Sequence, residues 1–236
     1  MNTQKIARAT GVLFLVTFVT SIPALLLFNP ILEDGGYSTY INGAGADNQI
    51  FLGATLELFL IVANVGTAVV LFPILRRQSE ILALGYVAAR VVESVFIAVG
   101  ILSVLAIVTL RQDATADPAT LGVVGQALVA VKDATFLLGP GFVVGVGNGM
   151  ILGYLMYRSA LVPRQLALFG LVGGPLVCFS GLLVLFGVLE LGGAGQFLFA
   201  APEIVWELSL GIYLTVKGFR PAPITVGGPV LAPQPA

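Results

Sequence analysis

A chain of 236 residues of which 58% are hydrophobic and only 10% charged, with a mean hydropathy of +1.02, departs from a soluble domain, where about a quarter of positions carry charge. Such a composition describes an all-α polytopic transmembrane helical bundle whose first partner is the lipid bilayer. A net charge of −1 with no basic patch speaks against nucleic acid, and the absence of histidine beside a single cysteine, Cys178, excludes an intramolecular disulfide, a Cys/His zinc cluster and a catalytic histidine.

A membrane helix needs about 20 mostly apolar residues, and six segments meet that requirement. Within the first, 7–28, the apolar run from Gly11 to Phe28 follows Lys5 and Arg8 as a signal peptide's would. This run is longer than the roughly 7–15 residues of a signal core and lacks a small-x-small cleavage site, so a retained anchor is expected. Asn29-Pro30, Gly35-Gly36 and Gly43 break the chain before the second span, 50–75. The third, 81–110, would reach about 45 Å at 1.5 Å per residue, against a hydrocarbon core of about 30 Å, and must tilt or protrude.

The fourth, 121–157, is longer still. Its helix is predicted to begin at Pro118 with Asp117 as N-cap, since the missing proline N–H costs nothing at the first helical position. A kink is predicted near Gly139-Pro140, and residues 118–138 either span or lie in the outer interface. Pro163 opens the fifth span, 163–187, and Gly192-Gly193 precedes the sixth, 197–216. The membrane domain is thus 1–218, and 219–236, with five prolines and little charge, is expected to be a disordered tail.

Orientation follows from basic residues. Lys5, Arg8, Arg76, Arg77, Arg158, Arg164, Lys217 and Arg220 fall on one side of a six-helix layout, while the other side's loops hold Arg111 against Glu33, Asp34, Asp47, Asp113, Asp117 and Glu190. Both termini are therefore expected in the cytoplasm, with Tyr154, Tyr157 and Tyr213 at the same inner boundary.

The residues that carry chemistry are the polar groups left inside the spans. These are Glu57, Arg90, Glu93, Lys132, Asp133, Glu203 and Glu207, with Asn64 and Asn148 as neutral companions. Counted at 1.5 Å per residue, Asn64, Arg90, Asn148 and Glu207 lie about 13–18 Å from the inner side, in one layer near the midplane. Glu93 and Glu203 lie about 20 Å in, and Glu57, Lys132 and Asp133 nearer the outer surface. Glu57 and Asn64, Arg90 and Glu93, and Glu203 and Glu207 are spaced to share helical faces.

A charge at the bilayer centre costs at least ~2.5–3.5 kcal/mol, so these stripes should face the bundle interior and be paired, hydrated or neutralised. Arg90 is the only midplane cation, and Glu207 at matching depth is its expected partner. Two cations against five carboxylates leave acids that must hold a proton, bind a cation or touch water. The Glu203/Glu207 pair, two like charges on one face, is where a held proton is expected. Lys132 and Asp133 read as an interfacial pair exposed to water.

The fourth span also carries Gly141, Gly145, Gly149 and Gly153, a small residue at every fourth position that predicts a close helix-packing face. Gly170 and Gly174, followed by Pro175, repeat the device in the fifth span, and Pro202 precedes Glu203 in the sixth. There is no phosphate-cradling loop, dinucleotide fingerprint or HExxH, and no serine with a triad partner. No cofactor or metal is expected, the acids of Glu203-x-x-x-Glu207 lacking the histidines that complete carboxylate metal sites.

Residues 152–170, LGYLMYRSALVPRQLALFG, and the segment ARVVESVFIAVG in the third span resemble a bacterial family of multi-pass membrane proteins, domain of unknown function 4386. Gly153, Tyr154, Leu155, Tyr157, Arg158, Ser159, Pro163 and Arg164 match one of its patterns, and Arg90 and Glu93 match an Arg-x-x-Glu in an earlier helix. The similarity runs over roughly residues 5–217. It implies about six helices in a bacterial inner membrane and no defined activity. Members often carry His-Asp where this chain has Lys132-Asp133, so no metal or relay role of that histidine transfers.

Two functions follow. One is small-solute or proton/cation-linked transport, with Glu57, Arg90, Glu93, Glu203 and Glu207 lining a midplane site. The other is a non-enzymatic accessory or partner-binding module whose polar cluster only fixes helix register. An intramembrane enzyme ranks last, for want of histidine or a nucleophile motif. A water-accessible cavity at the Arg90 layer would favour transport, and a dry, fully paired network the module.

Overall fold

The computed structural model describes residues 2–33, 36–43, 45–112 and 117–225. Helix α1 (Thr3–Leu27) starts where the Asn2 side chain accepts a hydrogen bond from the backbone N–H of Gln4 at 3.1 Å. Two short helices, α2 (Asn29–Leu32) and α3 (Gly36–Asn42), fold the following loop, and the long helices α4 (Asp47–Leu75) and α5 (Glu80–Gln112) come next. Helix α6 (Pro118–Leu138) begins as the Asp-Pro pair predicts, with the Asp117 carboxylate accepting from Thr120 N–H at 3.1 Å.

At Gly139, with φ −77° and ψ −87°, the α-helical ladder stops. The backbone continues through two π-helical segments, Gly139–Val143 and Gly145–Leu152, into α7 (Gly153–Ser159). The break expected at Gly139-Pro140 is therefore a change of hydrogen-bond register. Proline supplies no N–H, and i→i+5 bonding takes over around the gap. Helices α8 (Arg164–Leu185) and α9 (Ala194–Val216) complete the chain.

Among the described residues there is no strand, and six helices are long and apolar enough to cross a membrane: Thr3–Leu27, Asp47–Leu75, Glu80–Gln112, Pro118–Ser159, Arg164–Leu185 and Ala194–Val216. They form a closed ring in chain order. α1 packs on α4, α4 on α5, α5 on α6 and the π-helical segments, those segments on α8, α8 on α9, and α9 back on α1. The outer surface is apolar, with side chains such as Val19, Leu102, Leu198 and, at 79% exposure, Phe186 turned outward. A continuous apolar belt of this kind is a lipid-facing surface.

Inside the ring two apolar clusters lie at opposite ends. One gathers Phe14, Leu71, Tyr86, Leu155, Trp206 and Leu214 at the end where α1 begins and α9 finishes. The other gathers Phe28, Ile31, Tyr40, Ile50, Ile101 and Ile107. Because lipid is as apolar as these side chains, close packing rather than exclusion from water holds such clusters together. Several hydroxyls inside the bundle bond back to their own helices, as Thr10 does to Ile6 O at 2.9 Å and Ser94 to Arg90 O at 2.8 Å, while Ser103 of α5 donates across to Leu128 O of α6, so no polar group faces lipid unpaired at those positions.

The predicted tail divides. Residues 226–236 lie outside the described residues, but 219–225 are packed rather than loose. Phe219 is buried, the Gln4 side chain donates to Phe219 O at 2.9 Å and accepts from Phe219 N–H at 3.1 Å, and Arg220 N–H donates to Leu161 O at 2.8 Å. Gly218 turns the chain into this clasp at φ +72°, where a side chain would be strained and would also strike the Gln4 amide. Proline content alone missed these contacts because they come from the chain's other end.

Candidate functional site

The midplane layer is built from α4, α5, α9 and the π-helical part of the fourth span. Arg90 on α5 is only 2% exposed, and its Nη1 donates to Glu93 Oε2 at 2.7 Å, one turn along the same face. Arg90 Nη2 donates to Asn64 Oδ1 on α4, Arg90 Nε to Asn64 O at 3.5 Å, and Asn64 Nδ2 closes the triangle onto Glu93 Oε1 at 3.1 Å. The Phe14 ring of α1 lies 6.0 Å from the guanidinium carbon. The expected Arg90–Glu207 pair is not formed. Depth counting favoured an acid on another helix, but a residue three positions on already lies on the same face, and one asparagine side chain fastens both to α4.

Glu207 instead accepts a hydrogen bond from Asn148 Nδ2. Asn148 sits in the π-helical segment, and its carbonyl takes both Gly153 N–H and, at 2.9 Å, the indole N–H of Trp206. Glu203 is the exceptional member. It is 3% exposed and neither carboxyl oxygen has a hydrogen-bond partner, while the Oδ1 of Asn148 is also without one. Glycine makes room for it: a Cβ added at Gly149 would stand 2.7 Å from Glu203 Oε2, and one at Gly173 2.8 Å from it.

These groups surround a cavity of about 240 Å³ at the ring's centre, to which all six spans contribute. Its polar wall is Thr17, Ser21, Asn64, Arg90, Glu93, Glu203 and Glu207. The rest is apolar, including Phe18, Leu60, Ile97, Phe136, Val177 and Ile204. With Glu93 set against Arg90, the two acids of α9 are the carboxyl groups of the wall that have no cation partner among the described residues.

Glu57 stands apart from it. Lys132 Nζ reaches across from α6 to Glu57 Oε1 and Oε2 at 2.7 and 2.9 Å, with the Phe28 ring 4.8 Å below. Lys132 is 5% exposed, and Asp133 points outward. The expected water-exposed Lys132-Asp133 pair is thus overturned, because consecutive helical residues cannot share a face. Of the predicted stripe, Gly145, Gly149 and Gly153 face α8: added Cβ atoms there would meet Gly174, Gly174 with Glu203, and Leu171 with Gly170. Gly141 lies beside Gln196, and its carbonyl would meet a Cβ added at Gly181.

A second polar group escaped the sequence. At the end of the bundle away from the termini, Arg111 Nε donates to Asp47 Oδ1 at 2.8 Å and its Nη2 to Oδ2, while Gln112 and the Tyr40 hydroxyl also donate to Asp47. Burial, then the hydrogen bond to the Asp47 carboxylate, pushes the Tyr40 hydroxyl above its ordinary pKa. This clamp joins α3, α4 and α5. Its signal was present as an acid opening one span and a base closing the next at the same depth.

A family model described as domain of unknown function (DUF4386) matches residues 9–218. The chain belongs to this family. No curated protein and no solved structure matches it. The DUF4386 match covers all six apolar helices except the first residues of α1, so the ring, the cavity and the Arg90 triangle all lie within the family's extent. Among the described residues no three Asp, Glu or Cys side chains come together as metal ligands.

Proposed function

We propose that this DUF4386 protein resides in a bacterial inner membrane with both ends in the cytoplasm and carries a small solute, or a solute linked to protons or cations, through the cavity at the Arg90 layer. One observation supports this above the others: a 240 Å³ cavity at mid-bundle whose wall presents Glu203 with no hydrogen-bond partner. A cluster that served packing alone would be dry and fully paired, since an unsatisfied buried polar group costs about 1–3 kcal/mol. In this scheme the Arg90–Asn64–Glu93 triangle fixes the wall and the acids of α9 meet the solute. No enzymatic step is proposed, the sequence containing no histidine. The closed triangle by itself also suits the accessory-module alternative.

Purified protein in liposomes distinguishes the two. With an imposed proton gradient and a pH-sensitive dye inside, a panel of small solutes is added outside. Wild type should collapse the gradient with some of them, and Arg90→Ala and Glu207→Gln should each slow that collapse at least tenfold. If both variants match wild type in an active assay, the cavity is not the pathway. If wild type moves nothing while remaining folded, the module takes precedence.

A further inference from the structure

The hydrogen-bond inventory of the cavity is one-sided. Each buried side-chain nitrogen around it already has an acceptor: Arg90 and Asn64 within their triangle with Glu93, Asn148 Nδ2 on Glu207, and Trp206 Nε1 on Asn148 O. Among the described residues the buried lining atoms without a partner are the two oxygens of Glu203, and the Oδ1 of Asn148, the residue that bonds Glu207, is orphaned too. Arg90, the wall's cation, is occupied by Glu93, so an anionic solute would meet no free positive group. A solute made of acceptors would likewise leave Glu203 unsatisfied. Only a donor completes the site.

Size and lining narrow the class. A volume of about 240 Å³ holds roughly eight waters at ~30 Å³ each, below the usual range of about 300–1,000 Å³ for drug-sized ligands. That is room for one charged head and a short body. Glu203 and Glu207, four apart on α9, present two carboxyls on one face to the head. Phe18, Leu60, Ile97, Val177 and Ile204 offer an apolar surface to the body. We infer, building on the solute-site reading above, that the cavity recognises a small organic ammonium cation, its N–H donors on Glu203 with Glu207 alongside and its short alkyl chain against the apolar wall.

Trp206, the chain's one tryptophan, precedes Glu207 and is bonded to the asparagine that holds it, so it reports on the site. Full-length protein in lipid nanodiscs is titrated with n-butylammonium chloride, sodium butyrate, 1-butanol and sodium chloride. Binding is read by Trp206 fluorescence and by the midpoint of thermal unfolding, which any ligand selective for the folded state raises. Butylammonium should act saturably on both, and the three controls should not. Glu203→Gln should weaken binding at least tenfold at an unchanged unfolding midpoint. Ala200→Leu, which fills the cavity without touching a charge, should abolish binding if Glu203→Gln proves too unstable to use. Glu190→Gln, in the exposed loop, should bind as wild type.

Butyrate or butanol binding as well as butylammonium, butylammonium binding indifferent to both cavity variants, or no saturable response at all would each overturn the inference. Its failure is separable from that of transport. Ammonium binding without flux leaves recognition standing and removes carriage, whereas proton-coupled flux of another solute without ammonium binding does the reverse.

Discussion

Arg90 shows how a guanidinium survives in the middle of a lipid-embedded bundle. Side-chain hydrogen bonds between membrane helices average only about 0.6 kcal/mol each, so the bonds to Asn64 contribute little by themselves. What weighs more is the cost of leaving the charge alone, at least ~2.5–3.5 kcal/mol for a central arginine and ~3–5 kcal/mol for a buried pair broken on one side. Glu93→Leu should therefore lower the unfolding midpoint sharply. Adding Arg90→Met to it should restore most of the loss, because two apolar side chains of similar volume can replace a buried pair at little cost. Denaturation of both variants in detergent checks this, and a Glu93→Leu protein as stable as wild type would mean that Glu207 or water takes over. The sequence revealed that Arg90 and Glu93 share a face, with Glu93 counted slightly deeper and Glu207 level with Arg90. It could not rank Glu93 above Glu207, because the choice depends on where the side chain of Asn64 reaches from a different helix.

At the scale of the elements, spans were the most readable feature because lipid demands some 20 apolar residues in a row and tolerates few exceptions. The capped start at Asp117-Pro118 was equally local, and appears as predicted. The π-helical segments were not readable. Glycine at 139, 141, 145, 147, 149 and 153 signals close approach but does not say how the ladder will be rewound. The stripe's work is now specific: a Cβ at Gly145 would stand 2.5 Å from Gly174 O, where backbone cannot yield. Gly145→Ala should cost about 1–3 kcal/mol, the usual penalty of overpacking. Gly122→Ala on α6, with no atom within 4 Å of the added methyl, should instead be neutral or stabilise by up to ~1 kcal/mol. Unfolding midpoints measured side by side test the pair, and equal losses would show that helix propensity rather than contact with α8 governs the stripe.

For the whole molecule, the closed ring makes the first and last helices neighbours. α9 returns to α1, and the Gln4 amide clasps Phe219 with one donor and one acceptor. The basic residues gather at this same end: Arg77 donates to Ile224 O at 3.1 Å, Arg164 lies over the Tyr157 ring at 5.5 Å, and Arg220 is fixed by its backbone to Leu161. At the opposite end Arg111 is already bound to Asp47, which leaves that side with little free positive charge. Orientation in a membrane follows the loops' excess of lysine and arginine, so the clasped end should face the cytoplasm. Single cysteines introduced into a Cys178→Ser background read this directly. Glu190→Cys and Asn48→Cys, exposed at the end away from the termini, should react with a membrane-impermeant maleimide on spheroplasts. Gln165→Cys, exposed at the clasped end, should react only after permeabilisation. The reverse pattern would invert the molecule and with it the side from which a solute first meets Glu203. Labelling of all three before permeabilisation would mean that the ring does not seal the ends from one another, and no gradient could then be held across the cavity.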